Sequence, residues 1–318
     1  MNYLTKILKI ILSLIVLLIL AIIIIMFSHR DIPLDDLKIK YANSNSSFVA
    51  VNKMEVHFRD EGVQTDTIPI VLIHGTGASL HTFNAWSDRL KKSHRVIRMD
   101  LPAYGLTGPF PDENYTMANY TAFLKDFLIA LNIKQCVLAG NSLGGAIAWN
   151  FTLEQPSMVT KLILIDASGY PIASKSMPIA FSLAKIPVIN KLLTFITPRF
   201  LVRSSVENVY FDSSKVTDLV VERYFNLTLR TGNRKAFVDR LKTPKDTSTY
   251  KNIKYIQQPT LILWGAQDLL IPVENAYKFE ENLPNNTLVI LENTGHTPME
   301  ESPLESLAPV ISFLKTSP

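Results

Sequence analysis

Short apolar runs alternate with longer helical patterns along most of the chain. Six runs have the length and composition of buried strands: Ile68–Ile73, Arg95–Met99, Gln135–Ala139, Lys161–Ile165, Thr260–Trp264 and Thr287–Leu291. Helical patterns lie between them near residues 82–92, 116–131, 144–155 and 273–282, and a further one follows the last strand near 303–315. Strands that are apolar throughout are buried on both faces, as in parallel sheets covered by helices. The pattern predicts an α/β fold with a mostly parallel sheet, which a β-hairpin at 48–60 precedes.

The alternation stops between residues 171 and 250. This stretch contains apolar segments interrupted by proline, followed by more polar helical patterns around 214–230 and 233–241. We interpret this stretch as a helical insertion between two strands and predict that it forms a cap above the carboxyl ends of the strands. The predicted core then comprises residues 48–170 and 251–318, and the predicted cap comprises residues 171–250.

An apolar run at the N-terminus precedes the α/β pattern. Ile10–Phe27 is interrupted only by Ser13, and as a helix its 18 residues would span about 27 Å. The run has no small-residue cleavage site at its end, which favours an uncleaved membrane anchor at residues 1–30 over a cleaved signal peptide. Residues 31–47 are predicted to be a linker. The short N-terminal tail favours an orientation with the catalytic domain outside the cytoplasm, although basic residues flank both ends of the run.

Charge and cysteine content exclude some functions. The net charge is +4, and Lys6, Lys9 and Arg30 supply +3 of it in a segment without acids, so the remainder carries only +1 (4 − 3). This balance does not indicate a nucleic-acid partner. The single cysteine, Cys136, cannot form an intramolecular disulfide. The sequence also shows no metal-ligand cluster, phosphate loop or dinucleotide fingerprint, so neither a metal nor another cofactor is expected.

A candidate nucleophile lies in the segment Gly140-Asn141-Ser142-Leu143-Gly144-Gly145. A β-capable run precedes this segment and a helical pattern follows it, which is the context of a nucleophile elbow. Such a turn is so tight that side chains two positions before and after the nucleophile would clash. We therefore predict that Ser142 is held at the carboxyl edge of the sheet, above the start of a helix.

A serine nucleophile needs a base and an acid that orients the base. His296 is the only histidine after Ser142, and it follows the last predicted strand. Two acids compete for the third role. Asp268 follows the penultimate strand, whereas Asp166 ends an earlier one. We predict Asp268 as the acid, because sites with an elbow of this kind place the acid in the loop after the penultimate strand, and Asp166 as the rival.

Attack by a serine on a carbonyl group also requires two backbone N–H donors for the oxyanion. The residue after the nucleophile, Leu143, supplies one donor in an elbow of this kind. The glycine-rich loop at 74–78 supplies the other, with Thr76 as the first choice and Gly77 as the second.

These motifs together resemble the α/β-hydrolase fold superfamily over roughly residues 48–316. The segment Asp100-Leu101-Pro102-Ala103-Tyr104-Gly105 is similar to that family's Asp-x-Pro-Gly-x-Gly turn, but Ala103 stands where glycine is usual. The segment Pro298–Pro303 after the histidine is a further match. Within the superfamily the elbow resembles that of capped serine hydrolases, which include lipolytic esterases and the carbon–carbon bond hydrolases of aromatic degradation. Haloalkane dehalogenases and epoxide hydrolases carry aspartate at the elbow, so Ser142 argues against their chemistry.

The resemblance implies a serine hydrolase that cleaves carboxylic esters through an acyl-enzyme intermediate. The apolar composition of the cap indicates a small-molecule ester with an apolar acyl or aromatic part. Two alternatives remain: hydrolysis of a carbon–carbon bond in a β-diketone-like substrate, and a non-catalytic binding protein with the same fold.

Overall fold

The structure is a computed structural model that describes residues 3–28, 30–171, 173–244 and 248–316. Its helices are α1 Tyr3–Ser28, α2 Leu34–Tyr41, α3 Asn84–Leu90, α4 Met117–Ala130, α5 Leu143–Glu154, α6 Ile179–Leu183, α7 Ile189–Leu193, α8 Arg199–Glu207, α9 Asp218–Thr228, α10 Asn233–Lys242, α11 Glu274–Asn282, α12 Pro298–Glu301 and α13 Pro303–Lys315. Its strands are β1 Ser46–Val51, β2 Met54–Gly62, β3 Ile70–Ile73, β4 Arg95–Met99, β5 Cys136–Asn141, β6 Val159–Ile165, β7 Thr260–Gly265 and β8 Asn286–Leu291. The ends of the predicted anchor (1, 2 and 29), parts of the predicted cap (172 and 245–247) and residues 317–318 of the predicted core lie outside the described residues.

The strands form one sheet in the order β1-β2-β4-β3-β5-β6-β7-β8. The hairpin β1–β2 is antiparallel, as is the pair β2–β4, and every pair from β4–β3 to β7–β8 is parallel. The sheet has a hydrophobic core on each face. In β3, Val71 and Ile73 pack into one core, whereas Ile70 and Leu72 pack into the other. Burial on both faces explains why the central strands are continuous apolar runs.

The predicted membrane anchor at residues 1–30 is wrong. Within the part of the chain that the structure describes, no helix is both long enough and apolar enough to cross a membrane. The prediction depended on the apolar composition of the run Ile10–Phe27, and composition alone does not establish a membrane-spanning helix. Three further predictions depended on this anchor and are wrong with it: the single-pass location, the extracytoplasmic placement of the catalytic domain and the membrane partner.

A segment at 31–41, within the predicted linker, packs against the core and against the helices that follow β6. Leu37 and Tyr41 of α2 form a small buried cluster with Leu106 and Leu227. Just before α2, the backbone N–H of Ile32 donates to the carbonyl of Leu229 at 2.7 Å. This N-terminal segment, residues 31–41, therefore forms part of the folded unit.

Helices α6 to α10 lie between β6 and β7 in the chain, where the sequence predicts a cap. The insertion begins at the carboxyl end of β6, and the chain then returns to the amino end of the parallel neighbour β7. The first helices, α6 and α7, are only five residues long, and Val188 before α7 has a φ of 72°. Prolines at 178, 187 and 198 break this part of the insertion into short helices.

A buried polar network lies beneath the loop that follows β3. Asp100 accepts hydrogen bonds from the backbone N–H groups of Leu80 and Leu106, and it lies 2.7 Å from His57 Nδ1. His81 is 7% exposed and lies next to Arg59. Burial, reinforced by the Arg59 guanidinium and partly offset by Asp100, lowers the pKa of His81 to about 3. His81 is therefore neutral in the folded protein near pH 7.

This lowered pKa predicts a loss of stability in mild acid. The unfolded chain takes up a proton at His81 below about pH 6.5, whereas the folded chain takes it up only near pH 3, so the free energy of unfolding falls as the pH is lowered through this window. His81 alone should lower the free energy of unfolding by about 2 kcal/mol between pH 7 and pH 5. Urea unfolding at both pH values should show a smaller fall for His81→Gln than for the wild type. His94→Gln, at a side chain that is 35% exposed, is the matched control, and an unchanged fall in His81→Gln would contradict the assignment.

Candidate active site

Ser142 lies in a tight turn between β5 and α5. Its φ of 56° and ψ of −114° place it in a strained conformation for a residue with a side chain. The turn can form because Gly140 and Gly144 have no side chains. A Cβ on Gly140 would lie 2.2 Å from the carbonyl oxygen of Gly144, and a Cβ on Gly144 would lie 2.2 Å from that of Ile73. Ser142 is thus held at the start of a helix, where the helix dipole favours negative charge.

Asp268 and His296 form a buried hydrogen bond. His296 Nδ1 lies 2.6 Å from Asp268 Oδ2, and the two side chains are 5% and 0% exposed. The other carboxylate oxygen of Asp268 accepts hydrogen bonds from the backbone N–H groups of Leu270 and Ile271 at 2.8 and 2.9 Å. A carboxylate at Nδ1 fixes the proton on that nitrogen, which leaves Nε2 able to accept another. Of the two acids that the sequence left open, Asp268 is the one bonded to His296.

Ser142 and His296 line the same cavity. The described hydrogen bonds of His296 run to Asp268, Val209 and Asn141 rather than to Ser142. In unliganded enzymes the bond between a nucleophile and its base is often longer than in the complex with substrate. The arrangement therefore brings the three predicted triad residues together, and their catalytic roles remain a prediction.

The predicted oxyanion donors lie around the same point. Thr76 and Gly77 line the cavity with Ser142, and Leu143 is the first residue of α5. Gly77 has a φ of 77°, and a Cβ built there would meet no atom within 4 Å. The backbone at Gly77 thus borders open space, as a group that contacts a substrate should. Which N–H group binds an oxyanion stays a prediction.

Asp166 lies beside this pair. One oxygen of Asp166, one of Asp268 and one ring nitrogen of His296 all lie within 4.8 Å of one another, and all three residues are buried. The cluster has the residue types of a metal site. However, Asp268 and His296 already bond to each other, and Asp268 also accepts two backbone N–H groups. The oxygens of Asp268 and the Nδ1 atom of His296 are therefore committed to hydrogen bonds, which favours a catalytic pair over a metal centre.

Five hydrogen bonds that the sequence does not reveal surround the His296 loop. The Asn141 side-chain amide donates to the His296 carbonyl at 3.0 Å, and the His296 backbone N–H donates to the carbonyl of Val209 at 2.8 Å. Glu301 accepts the N–H groups of Gly295, Phe211 and Asp212 at 2.7, 3.2 and 2.7 Å. Val209, Phe211 and Asp212 belong to the insertion, so the loop that carries His296 is bonded directly to the predicted cap.

Neighbouring Glu300 adds a second link to the insertion. Its carboxylate is bonded to the Arg223 guanidinium and accepts a hydrogen bond from the Tyr224 hydroxyl at 2.7 Å. Both partners lie on α9, and burial with the nearby Glu300 charge raises the pKa of Tyr224 above its ordinary range. The adjacent acids Glu300 and Glu301 lie within the segment 298–303 that resembles the family motif, but that resemblance assigned them no role.

The cavity above Ser142 has a volume of about 1100 Å³, its open mouth included. Helices of the insertion supply much of its apolar wall, with side chains that include Phe181, Leu201, Val206, Leu227 and Phe237. Among the described lining residues, Arg234 has the only permanently charged side chain. The Arg234 guanidinium is already bonded to the carboxylate of Asp31 at 2.7 Å and to the carbonyl oxygen of Phe195.

The fold and this geometry agree with a known family. The family model described as alpha/beta hydrolase fold matches residues 68–303. The chain belongs to the α/β-hydrolase fold family. It is a hydrolase of the α/β fold, as the named relatives below also indicate.

Relatives and solved structures of this family differ in their chemistry. The uncharacterized hydrolase YugF of Bacillus subtilis is 27% identical, over 83% of this chain and 95% of its own length. The 2-hydroxy-6-oxo-6-(2'-aminophenyl)hexa-2,4-dienoic acid hydrolase of Metapseudomonas resinovorans is also 27% identical, over 84% of this chain and 90% of its own. The solved structure of lip1 from Acinetobacter baumannii AYE, which carries a provisional lipase designation, is 26% identical with a TM-score of 0.74, and the match covers 88% of this chain and 94% of that one.

The contacts of Glu301 predict that its charge supports turnover. In Glu301→Gln, the amide oxygen can replace Oε2 and keep the bonds to Gly295 and Phe211, but the amide N–H groups then face the Asp212 N–H, so the His296 loop should shift relative to the insertion. Because small misplacements of a catalytic group are costly, we expect kcat on an ester to fall by about 10-fold or more, with a smaller change in KM.

The matched control for this variant is Glu300→Gln. It removes the same charge one residue earlier but leaves all three contacts of Glu301 intact, so it should affect KM more than kcat. Circular dichroism establishes that both variants fold. Equal losses of kcat in the two variants would contradict the assignment.

Proposed function

We propose that the protein hydrolyses carboxylic esters with an apolar acyl or aromatic part through an acyl-enzyme intermediate. Ser142 Oγ attacks the acyl carbon while His296 Nε2 takes its proton. Backbone N–H groups of Leu143 and Thr76, or Gly77 in place of Thr76, bind the oxyanion of the tetrahedral intermediate. His296 then protonates the leaving alcohol. Water attacks the acyl-enzyme by the same steps, releasing the acid and restoring Ser142.

Asp268 has a distinct part in this proposal. Its bond to Nδ1 holds the imidazole in the tautomer with Nε2 unprotonated, and its charge stabilises the imidazolium that forms during each proton transfer. Removing one oxyanion donor from such a site typically costs on the order of 3 kcal/mol of transition-state stabilisation, so the pre-set backbone of the elbow is a large part of the expected catalysis.

The observation that carries the choice of substrate is the wall of the cavity. The acyl group must lie against the insertion, whose lining side chains are mainly apolar. Burying a methylene group against such a wall is worth about 0.8 kcal/mol. A charged acyl group would need a free cation, and Arg234 is committed to Asp31 and to a backbone carbonyl. An uncharged apolar acyl or aromatic group therefore fits this cavity better than an anionic one.

Hydrolysis of a carbon–carbon bond is the second candidate, because one of the relatives is named for a dienoic acid substrate. The same triad could serve that reaction. A dienoic acid is an anion near neutral pH, and its carboxylate would have to compete with Asp31 for Arg234. A binding protein without catalysis is the third alternative, and the bonded pair of Asp268 and His296 argues against it.

Esterase activity predicts a defined substrate profile. The full-length protein should hydrolyse p-nitrophenyl esters with an optimum between acetate and palmitate, and Ser142→Ala should lower kcat/KM by about three or more orders of magnitude. A fluorophosphonate probe should label Ser142 in the wild type and not in Ser142→Ala. Labelling without turnover of any ester, together with hydrolysis of a dienoate ring-fission product, would establish the second candidate instead. Absence of both labelling and turnover in a folded protein would favour the non-catalytic alternative.

The cavity wall predicts a change of chain-length preference. Val206 on α8 is 4% exposed and lines the cavity, so Val206→Phe should reduce the room for the acyl group. We expect the optimum to move to a shorter acyl chain, with turnover of the shortest esters changed by less than about threefold. Leu219→Phe, at a residue of α9 that is 77% exposed, is the control for a change on the insertion outside the cavity. An identical profile for both variants would show that the acyl group binds elsewhere.

A further inference from the structure

The topology of the sheet puts a second carboxyl group next to the proposed triad. Strand β6 lies between β5, which leads to Ser142, and β7, which leads to Asp268. The residue that follows β6, Asp166, therefore lies between the nucleophile and the acid. Its backbone N–H donates to the carbonyl of Leu263 on β7 at 3.0 Å, and its φ of 43° turns the chain away from the sheet.

The two oxygens of Asp166 have unequal surroundings. Oδ1 accepts the backbone N–H of Gly265 at 2.9 Å. Oδ2 is fully buried, and no donor among the described residues reaches it. An unsatisfied carboxylate oxygen in the interior costs more than a neutral polar group would. A proton on Oδ2 removes this cost, provided that an acceptor lies nearby.

The candidate acceptor is Asp268. The carboxyl groups of Asp166 and Asp268 lie within the 4.8 Å cluster that includes His296, and two buried carboxylates so close cannot both hold their charge cheaply. The negative charge is better stabilised on Asp268, because this carboxylate accepts hydrogen bonds from two backbone N–H groups and is also bonded to His296 Nδ1. Burial and the charge of Asp268, with a smaller contribution from Glu301, raise the pKa of Asp166 well above its ordinary value.

We propose that Asp166 is a neutral carboxylic acid whose Oδ2–H donates a hydrogen bond to the Asp268 carboxylate, and that it acts as a positioning residue for the Asp268–His296 pair. The part of this proposal that concerns catalysis rests on the proposed function. The neutral state keeps a single negative charge beside His296. The added hydrogen bond restrains the Asp268 carboxylate so that one oxygen faces Nδ1 and the other faces the backbone of 270–271.

The substitution Asp166→Asn separates this proposal from a charged Asp166. An asparagine can accept the Gly265 N–H with its oxygen and donate to Asp268 with its amide, as the neutral acid does, and it tolerates a positive φ. The variant should therefore keep kcat within about threefold of the wild type. Asp166→Ala removes the donor, and we expect it to lower kcat by about 10-fold or more while KM changes less.

The pH dependence of kcat/KM distinguishes a neutral Asp166 from an anionic one, and a purely structural role of this residue would not change it. The titratable groups that face Asp166 are Asp268, His296 and Glu301, and an acid that is neutral throughout the working range adds no charge to them. The acidic limb of the profile should thus coincide in Asp166→Asn and the wild type. If Asp166 were an anion, its loss would lower the apparent pKa of that limb and reduce kcat in Asp166→Asn as much as in Asp166→Ala. That result would overturn the proposal.

Infrared difference spectra of the full-length protein near pH 7 test the protonation state without any assay of activity. The wild type minus Asp166→Asn should show the carbonyl stretch of a protonated carboxylic acid, and carboxylate bands in its place would overturn the proposal. Fluorophosphonate labelling of Ser142 is measured on the same samples. A protein that shows the carboxylic acid band but neither labels at Ser142 nor cleaves esters would refute the proposed function, while the protonated Asp166 would stand.

Discussion

The close approach of three backbones at the elbow is the constraint on which the rest of the site depends. The first turn of α5 lies directly against the end of β3, so that Gly144 has no room for a side chain beside the carbonyl of Ile73. The same contact places the loop after β3, with Thr76 and Gly77, next to Ser142. Backbone groups held by regular structure need no rearrangement to meet a developing charge, which is the condition for strong electrostatic stabilisation.

The His296 loop is positioned by long-range hydrogen bonds rather than by close contacts between backbones. It lies between the elbow and the insertion, and hydrogen bonds join it to both: Asn141 on one side, Val209 and the partners of Glu301 on the other. The position of His296 is thus determined by groups that are far apart in the sequence. Movement of the insertion would disturb the imidazole as well as the cavity, so in the proposed mechanism substrate enclosure and proton transfer depend on the same contacts.

Much of the architecture could be predicted because it depends on local patterns. Continuous apolar runs identify the central strands, and the spacing of Gly140, Ser142 and Gly144 predicts the elbow from sterics alone. The turn with Ala103 shows the limit of such reasoning. Alanine at a glycine position left the geometry open, and the structure forms the turn with Ala103 at a φ of 86°. Compensating contacts, such as the Ala103 N–H to the carbonyl of Gly108 at 2.7 Å, cannot be foreseen from the residue type.

Other features could not be predicted because they join distant segments. Glu301 has three backbone partners, and two of them lie about 90 residues earlier in the chain. The residues around Glu301 in the sequence do not indicate these partners. The orphaned oxygen of Asp166 likewise becomes visible only when β6 is seen between β5 and β7. The membrane anchor was wrongly predicted from the N-terminal run for a different reason. Apolar composition shows that a segment is hydrophobic, but it does not show that the segment crosses a membrane.

The contacts of residues 31–41 with the insertion have a consequence for how such enzymes diversify. Asp31 fixes Arg234, a residue of the cavity wall, and Ile32 bonds to the backbone at 229–231. The placement of Arg234 in the cavity wall therefore depends on a segment that is encoded before the core as well as on the insertion encoded within it. A chimera that exchanges only the insertion between relatives would leave Asp31 and Ile32 facing foreign partners. An exchange of substrate specificity in this protein therefore requires the N-terminal segment and the insertion to be transferred together.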